Sequence, residues 1–253
     1  MNYKKKSRIV AYILSLTFLV TTSLCQPQRN DYFITAAEIG LFLYTQYGMH
    51  TNAPDNLSEK KPNSFDDKMR DVLKWGDNEK IAANYSDIFL YGLFVGSIPI
   101  SPLLSKNNYM DLLLTNLEVL SINGLVTNLV KHKVKRQRPY SFYGTFPDNE
   151  DSYRSFFSGH TSTAFAIGTS TALSLTRNTK LNEKLIWGSF ITSAILTGYL
   201  RIAADKHYTT EVIAGGIIGS LVGSFINKRN INRFTKNHRI SFKNNELFIH
   251  VRL

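Results

Sequence analysis

The chain has 253 residues, 43% of them hydrophobic and 19% charged, with only 7 Pro and 15 Gly. That excludes a disordered, collagen-like or low-complexity protein, because apolar surface is ample for a large core. The mean hydropathy of −0.16 argues against a densely membrane-embedded bundle while leaving room for one or two spans. Thirty Lys and Arg against 19 Asp and Glu give a formal charge of +11. Such a balance favours anionic partners, whether nucleic acid, anionic lipid headgroups or phosphorylated small molecules, and charge alone does not choose among them.

The first 25 residues read as a targeting segment. Lys4, Lys5, Lys6 and Arg8 form a basic start, Ile9 to Val20 is an apolar-to-neutral run, and Ser23 and Cys25 sit at −3 and −1 of a cut before Gln26. The run is shorter than the roughly 20 residues of a transmembrane helix, although an uncleaved anchor reaching Leu24 is the alternative. Cys25 invites a lipoprotein reading, against which stands the bulky Leu24. A secretory signal is the expectation. Its removal takes away the only cysteine, so the mature chain would rest on packing rather than disulfides.

Apolar spacing from Asp31 to Gly48 predicts an amphipathic helix, residues 49–67 read as polar loop, and Asp67 to Trp75 as a second helix ending at Gly76. Five long apolar segments follow: Ser86 to Leu104, Asp111 to Lys133, His160 to Thr176, Leu185 to Leu200 and Tyr208 to Ile226. Asp87, Asn116, Glu118, Asn123 and Asn128 interrupt them and are expensive in lipid, which favours a packed soluble bundle over membrane spans. The glycines Gly215, Gly216, Gly219 and Gly223 read as close-packing positions. Residues 140–157 form a long aromatic and polar loop, of a length that is usually functional or disordered. Lys228 to Lys243 is basic, and Ile240–Phe242 and Leu247–Val251 about Asn244-Asn245 suit a short β-hairpin.

Three clusters carry candidate chemistry. Lys131 and Arg138 are seven residues apart, on one face if the helix runs on to Pro139, and together would clamp a phosphate. Taken alone, a basic run at a helix end is more often a dipole-compensating surface. Ser158-Gly159-His160 stands at a loop-to-helix junction, where amide N–H groups, a hydroxyl and a titratable imidazole would meet an anion. Arg201 is followed by His207 and Glu211. A carboxylate four residues after a histidine can hold its Nδ1 proton and make Nε2 a nucleophile, although an ordinary surface pair has the same spacing.

In order and spacing, K-x6-R-P, S-G-H and R-x5-H-x3-E together resemble the signature of the type 2 phosphatidic acid phosphatase family, which includes bacterial class A acid phosphatases and is related to vanadium haloperoxidases. The resemblance covers about Ser86 to Phe225. It implies an all-α helical bundle of that type, here with a short C-terminal β-hairpin. The expected division is 1–25 signal peptide, 26–84 N-terminal helical extension and loop, 85–228 phosphatase helical core, and 229–253 basic tail with hairpin.

The resemblance further implies that Lys131, Arg138 and Arg201, with Ser158 and the Gly159 amide, hold phosphate. His207 would attack phosphorus, Glu211 orient it, and His160 protonate the leaving oxygen. No metal and no cofactor are called for. The expected activity is metal-independent phosphatase action, through a phosphohistidine intermediate, on a phosphomonoester or diphosphate that is lipid-linked by preference, with a phosphorylated lipid or small molecule as partner, a possible membrane surface and no nucleic acid. The expected location is exported, periplasmic or associated with an envelope membrane. The rivals are a vanadate-dependent haloperoxidase and a catalytically decayed envelope protein that binds anionic lipid. Three positions depart from the family pattern: Phe157 stands for proline, Leu200 for serine and Glu211 for aspartate. The last matters most, because its extra methylene must be absorbed for the carboxylate to meet His207.

Overall fold

A computed structural model describes residues 29–49, 61–105, 109–149, 151–237, 240–243 and 246–249. Side chains are described from residue 30 to 232 within those bounds. The expected signal segment and the Asn244-Asn245 turn lie outside the described residues. Helix α1 (Arg29–Leu43) runs into a π-helical turn, Tyr44–Gly48. Helix α2 (Ser64–Leu73) starts on Asn63, whose side chain accepts from the Asp66 amide. Helix α3 (Glu79–Val95) continues through a π turn at Gly96–Ile100, where Pro99 removes a backbone donor, into α4 (Ser101–Leu104). The long helix α5 (Tyr109–Val134) is followed by the single turn α6 (Pro139–Phe142). Helices α7 (Gly159–Asn178), α8 (Glu183–Ala203) and α9 (Thr209–Asn237) complete the bundle. Strands β1 (Ile240–Lys243) and β2 (Glu246–Ile249) pair antiparallel.

Helix α7 is the centre. Its Ala164, Ala166 and Ile167 are fully buried and pack with Val119 of α5, Leu90 and Leu93 of α3, Ala194 of α8 and Ile226 of α9. Small residues set its distance to α9. A Cβ on Gly219 would fall 2.1 Å from the Ser162 carbonyl oxygen, and one on Gly223 2.2 Å from that of Ala166. The packing role expected of these glycines is therefore met by backbone lying on backbone. Helix α1 closes on α5 by the same means, its Phe42 ring lying where a Gly124 side chain would be.

Four helical stretches are long and apolar enough to cross a membrane: Gly76–Leu104, Tyr109–Phe142, Glu183–Ala203 and Thr209–Asn232. Their outward residues, among them Leu185, Ile195, Ile217, Leu221 and Phe225, are exposed. The expectation of a soluble bundle fails for a physical reason. The polar residues that argued against spans point inward and are satisfied there. Asn116 donates to the Ser97 carbonyl at 2.6 Å and accepts from Ser170, Asn123 accepts from Ser162 at 2.6 Å, and Glu118 accepts from Thr35 at 2.7 Å. A polar group that has its partner inside the bundle costs little in lipid.

Two boundaries also differ. Helix α5 stops at Val134 because Lys135 takes a left-handed conformation (φ 49°), and Arg136 to Arg138 run outside the helix. Pro139 disfavours helical backbone at Arg138, and the strip bonds instead across the loop, Arg138 N to Ser152 O (2.8 Å) and Ser155 N to Arg136 O (3.1 Å). Helix α9 runs on through the expected basic tail, where Arg229 meets Glu118 and Glu38 at 2.6 and 3.3 Å.

Candidate active site

The three motifs meet at one end of the bundle, each presented by a helix terminus. Lys131 stands in the last turn of α5, and its Nζ would lie 3.4 Å from a Cβ built on Gly159. The tightest neighbour of that Cβ would be Thr127 Cγ2 at 3.2 Å, so glycine eases the approach of the loop to α5. Ser158 is the N-cap residue of α7, but its side chain caps nothing. Its Oγ accepts from Thr161 Oγ1 at 2.8 Å. The first amides of α7 have no partner within the helix, as at any helix start. Arg201 closes α8, and the chain folds back so that the His207 amide donates to the Arg201 carbonyl at 3.3 Å.

Arg138 reaches the site from its extended strip, not from the face of α5. Its Nε donates to the Asp151 carbonyl and its Nη1 to the Lys206 carbonyl, at 2.8 and 2.9 Å. The same Nη1 lies 3.1 Å from His207 Nε2. A guanidinium only donates, so Nε2 is the unprotonated nitrogen and Nδ1 carries the hydrogen. Nδ1 in turn faces Glu211 Oε2 at 3.1 Å. His207 is buried, and burial, followed by the charges of Arg138, Lys131 and Arg201, holds its pKa well below the ordinary histidine value. It is a neutral imidazole whose lone pair points among cations, which is the protonation state of a nucleophile.

The glutamate at 211 meets its histidine. The additional methylene is absorbed by a dense set of contacts: Oε2 also accepts from Ser155 Oγ at 2.5 Å and from the Tyr208 amide at 3.1 Å. Oε1 forms an ion pair with Arg136 Nη1 at 3.3 Å. Behind it, the Ser158 amide donates to the Glu211 carbonyl at 3.2 Å, tying the second motif to the third.

His160, partly exposed, bonds through Nε2 to Asp87 Oδ1 at 3.1 Å, and the same oxygen lies 3.8 Å from Arg201 Nη1. Partial burial and the Arg201 charge lower its pKa, and the Asp87 carboxylate pulls in the opposite direction. Arg201 Nε is buried with no hydrogen-bond partner. A donor left open beside Lys131 and Arg138 suits an oxyanion.

All eight residues singled out in the sequence therefore belong to one connected cluster. Sequence reasoning missed four contributors. Asp87 registered only as a polar interruption of an apolar segment, although it pairs with both His160 and Arg201. Arg136 was lost inside a basic run, and Ser155 inside a loop. Lys206 flanks the site with its ammonium 4.5 Å from the Tyr140 ring centroid. Among the described residues, no group of three His, Cys, Asp or Glu is placed to hold a metal ion.

Known proteins resemble this chain in the same region. Residues 112–234 match the PAP2 superfamily profile. A probable lipid phosphate phosphatase 4 of Arabidopsis thaliana is 32% identical over 41% of this chain and 42% of its own length. A lipid A 1-phosphatase of Rhizobium johnstonii is 34% identical over 39% of each chain. The chain thus spans about two fifths of the length of these curated relatives. In fold it is similar to a transmembrane PAP2-type phosphatidylglycerolphosphate phosphatase from Bacillus subtilis, with a TM-score of 0.55 and 20% identity, over 78% of this chain and 96% of that one. The fold, the three motifs and the profile agree over the same helices, and residues 112–234 are similar to the PAP2 superfamily.

Proposed function

We propose that the protein is a metal-independent phosphatase, embedded in an envelope membrane through its apolar helices, that removes phosphate from a lipid-linked phosphomonoester or diphosphate. The observation that carries this reading is the His207 ring, held between Glu211 and Arg138 with its lone pair directed into the cluster of Lys131, Arg138 and Arg201. Relatives named for lipid phosphate and lipid A, and the apolar faces around the site, support a lipid substrate over a soluble one.

In this reading the phosphoryl oxygens sit among Lys131, Arg138, Arg201, Ser158 and the amides that open α7. His207 Nε2 attacks phosphorus and the bond to the leaving oxygen breaks. His160 gives that oxygen its proton. Water then attacks the phosphohistidine, His160 takes a proton from it, and inorganic phosphate leaves with His207 neutral again. A bound phosphate dianion sets negative charge against Arg201 and Lys131 and so favours the protonated His160 that the first step needs. Glu211 stabilises the charged imidazole that forms during attack. Fixed cations and amides supply the charge stabilisation of the transition state.

Phosphate release by the purified protein, screened over lipid and soluble phosphates with and without chelator, tests this directly. Release from a lipid phosphate is expected to survive chelation and to fall at least about a thousandfold in His207→Ala, roughly 4 kcal/mol on the barrier, with the fold unchanged. Release abolished by chelator, or retained within tenfold in His207→Ala, would reject it.

A further inference from the structure

The loop that presents His207 is held from outside the bundle core. Helix α2 lies in the polar stretch before the first long helix, and two residues one turn apart on it grip the two shoulders of segment 205–210. Asp66 is fully buried. Its Oδ1 accepts from the Thr210 amide at 2.9 Å, and its Oδ2 from Thr210 Oγ1 at 2.7 Å and from Arg136 Nη2 at 3.0 Å. Thr210 is the second residue of α9, so its N–H is one that a helix start leaves unpaired. Asp66 is therefore a cap supplied by another helix, its negative charge set at the positive end of the α9 dipole.

On the other shoulder, Arg70 holds Asp205 through Nε and Nη2 at 2.6 and 2.8 Å. Asp205 is itself in a left-handed conformation (φ 56°) that reverses the chain after α8. His207 lies between these two anchors. From Asp66 a second line leads to the same ring. Arg136, shared between Asp66 and Glu211 and stacked 4.3 Å from the Tyr208 ring centroid, fixes the carboxylate that holds His207 Nδ1.

We propose that α2 is a positioning element of the catalytic loop, with Asp66 setting the orientation of Glu211, and hence of the His207 ring, through Thr210 and Arg136. This rests on the reading of His207 as the nucleophile. It makes the stretch before the PAP2 region part of the site rather than an appendage to it. The N-cap bond of α2 runs from the Asp66 backbone amide to Asn63 Oδ1 (2.8 Å) and does not itself use the Asp66 side chain, although Asn63 Nδ2 also donates to Asp66 Oδ2 (3.0 Å), so the test must separate positioning from folding.

The experiment compares wild type with Asp66→Ala, Asp66→Glu and Lys68→Ala in detergent, reading kcat, KM and unfolding temperature. Asp66→Ala is expected to lower kcat ten- to a hundredfold with KM within twofold, Asp66→Glu to recover part of the loss, and Lys68→Ala, exposed on the same helix, to change nothing. Wild-type kcat in Asp66→Ala overturns the proposal. So does a loss that follows the folded fraction alone, with turnover per folded molecule unchanged. If the wild type releases no phosphate, the phosphatase reading fails and positioning is read from the 15N signals of the His207 ring, assigned with His207→Ala. Signals that shift in Asp66→Ala support the proposal, and signals that stay in place refute it.

Discussion

Glu211 and Glu118 are both fully buried carboxylates with an arginine beside them, yet they do opposite things. Glu118 stands on α5 thirteen residues before Lys131, about 20 Å farther down the bundle at the helical rise. Its two oxygens take Thr35, Arg229 and Asn230 at 2.7, 2.6 and 2.6 Å, joining α1, α5 and α9. Arg229 is also tied to Glu38. Every charge there faces another fixed group, and the cluster is a clasp. Glu211 has contacts as dense, but one of them is a ring whose far nitrogen faces Lys131, Arg138 and Arg201. What separates a structural carboxylate from a functional one is whether the group it holds has a second face directed at something that can arrive.

Glu211→Gln should break the site end most severely. The amide keeps the size and accepts through one oxygen, but cannot stabilise the imidazolium formed as His207 attacks. A fall in kcat of about 10² to 10⁴, roughly 3 to 5 kcal/mol on the barrier, is expected, with an unfolding temperature close to wild type. Steady-state kinetics beside a thermal melt checks both. Equal kcat in wild type and Gln would reduce Glu211 to a second clasp and erase the contrast.

The two ends are joined by the seam of α7 on α9, and Gly219 sits within it. In Gly219→Ala the new methyl would overlap the Ser162 carbonyl, which is backbone and cannot rotate away. The helices must part, at a cost of about 1–3 kcal/mol or more. Because α7 begins at the Ser158 loop and α9 just after His207, parting them also separates nucleophile from cradle, so kcat per folded molecule should drop as well. Gly188, on an open face of α8 with nothing within 4 Å of its Cβ position, is the control. Gly188→Ala should be neutral or stabilise by up to about 1 kcal/mol. Denaturant titration and activity on the same samples read out both. A stable, fully active Gly219→Ala would mean that the seam does not fix the site.

The residues proposed to act on the substrate were legible in the sequence because charge and spacing mark them. Lys131, Arg138, Ser158, Gly159, His160, Arg201, His207 and Glu211 fall at helix ends, where motif order alone brings them together. The long apolar helices were legible for the same reason, since period and length are local properties. What lay hidden depends on contacts distant in sequence. Asp87 looked like a cost because its partners are 73 and 114 positions away. Asp66 looked like solvated loop and Arg70 like one more charge on a short helix, because their partners lie 144 and 135 residues on. The choice between soluble and membrane bundle failed on the same ground: whether Asn116 or Glu118 is paid for depends on which way it points, and hydropathy does not contain that.

Glu118→Gln sharpens the contrast from the other side and should have the smallest effect. The clasp can accommodate the amide. With the Gln oxygen turned toward Arg229 and Asn230, its NH2 faces Thr35 Oγ1, which can accept while its own hydrogen stays on the Asp31 carbonyl at 3.0 Å. Among the described residues each of these hydrogen bonds then has a donor and an acceptor, and the charge opposite Arg229 is lost. That arginine is 34% exposed and keeps Glu38, so the cost is discounted to about 1 kcal/mol. Stability measured by denaturant should fall by that order, and kcat and KM should stay at wild-type values. A kcat as low as that of Glu211→Gln would show that the far carboxylate reaches the chemistry, and that burial with a satisfied partner set is not the mark of a purely structural role.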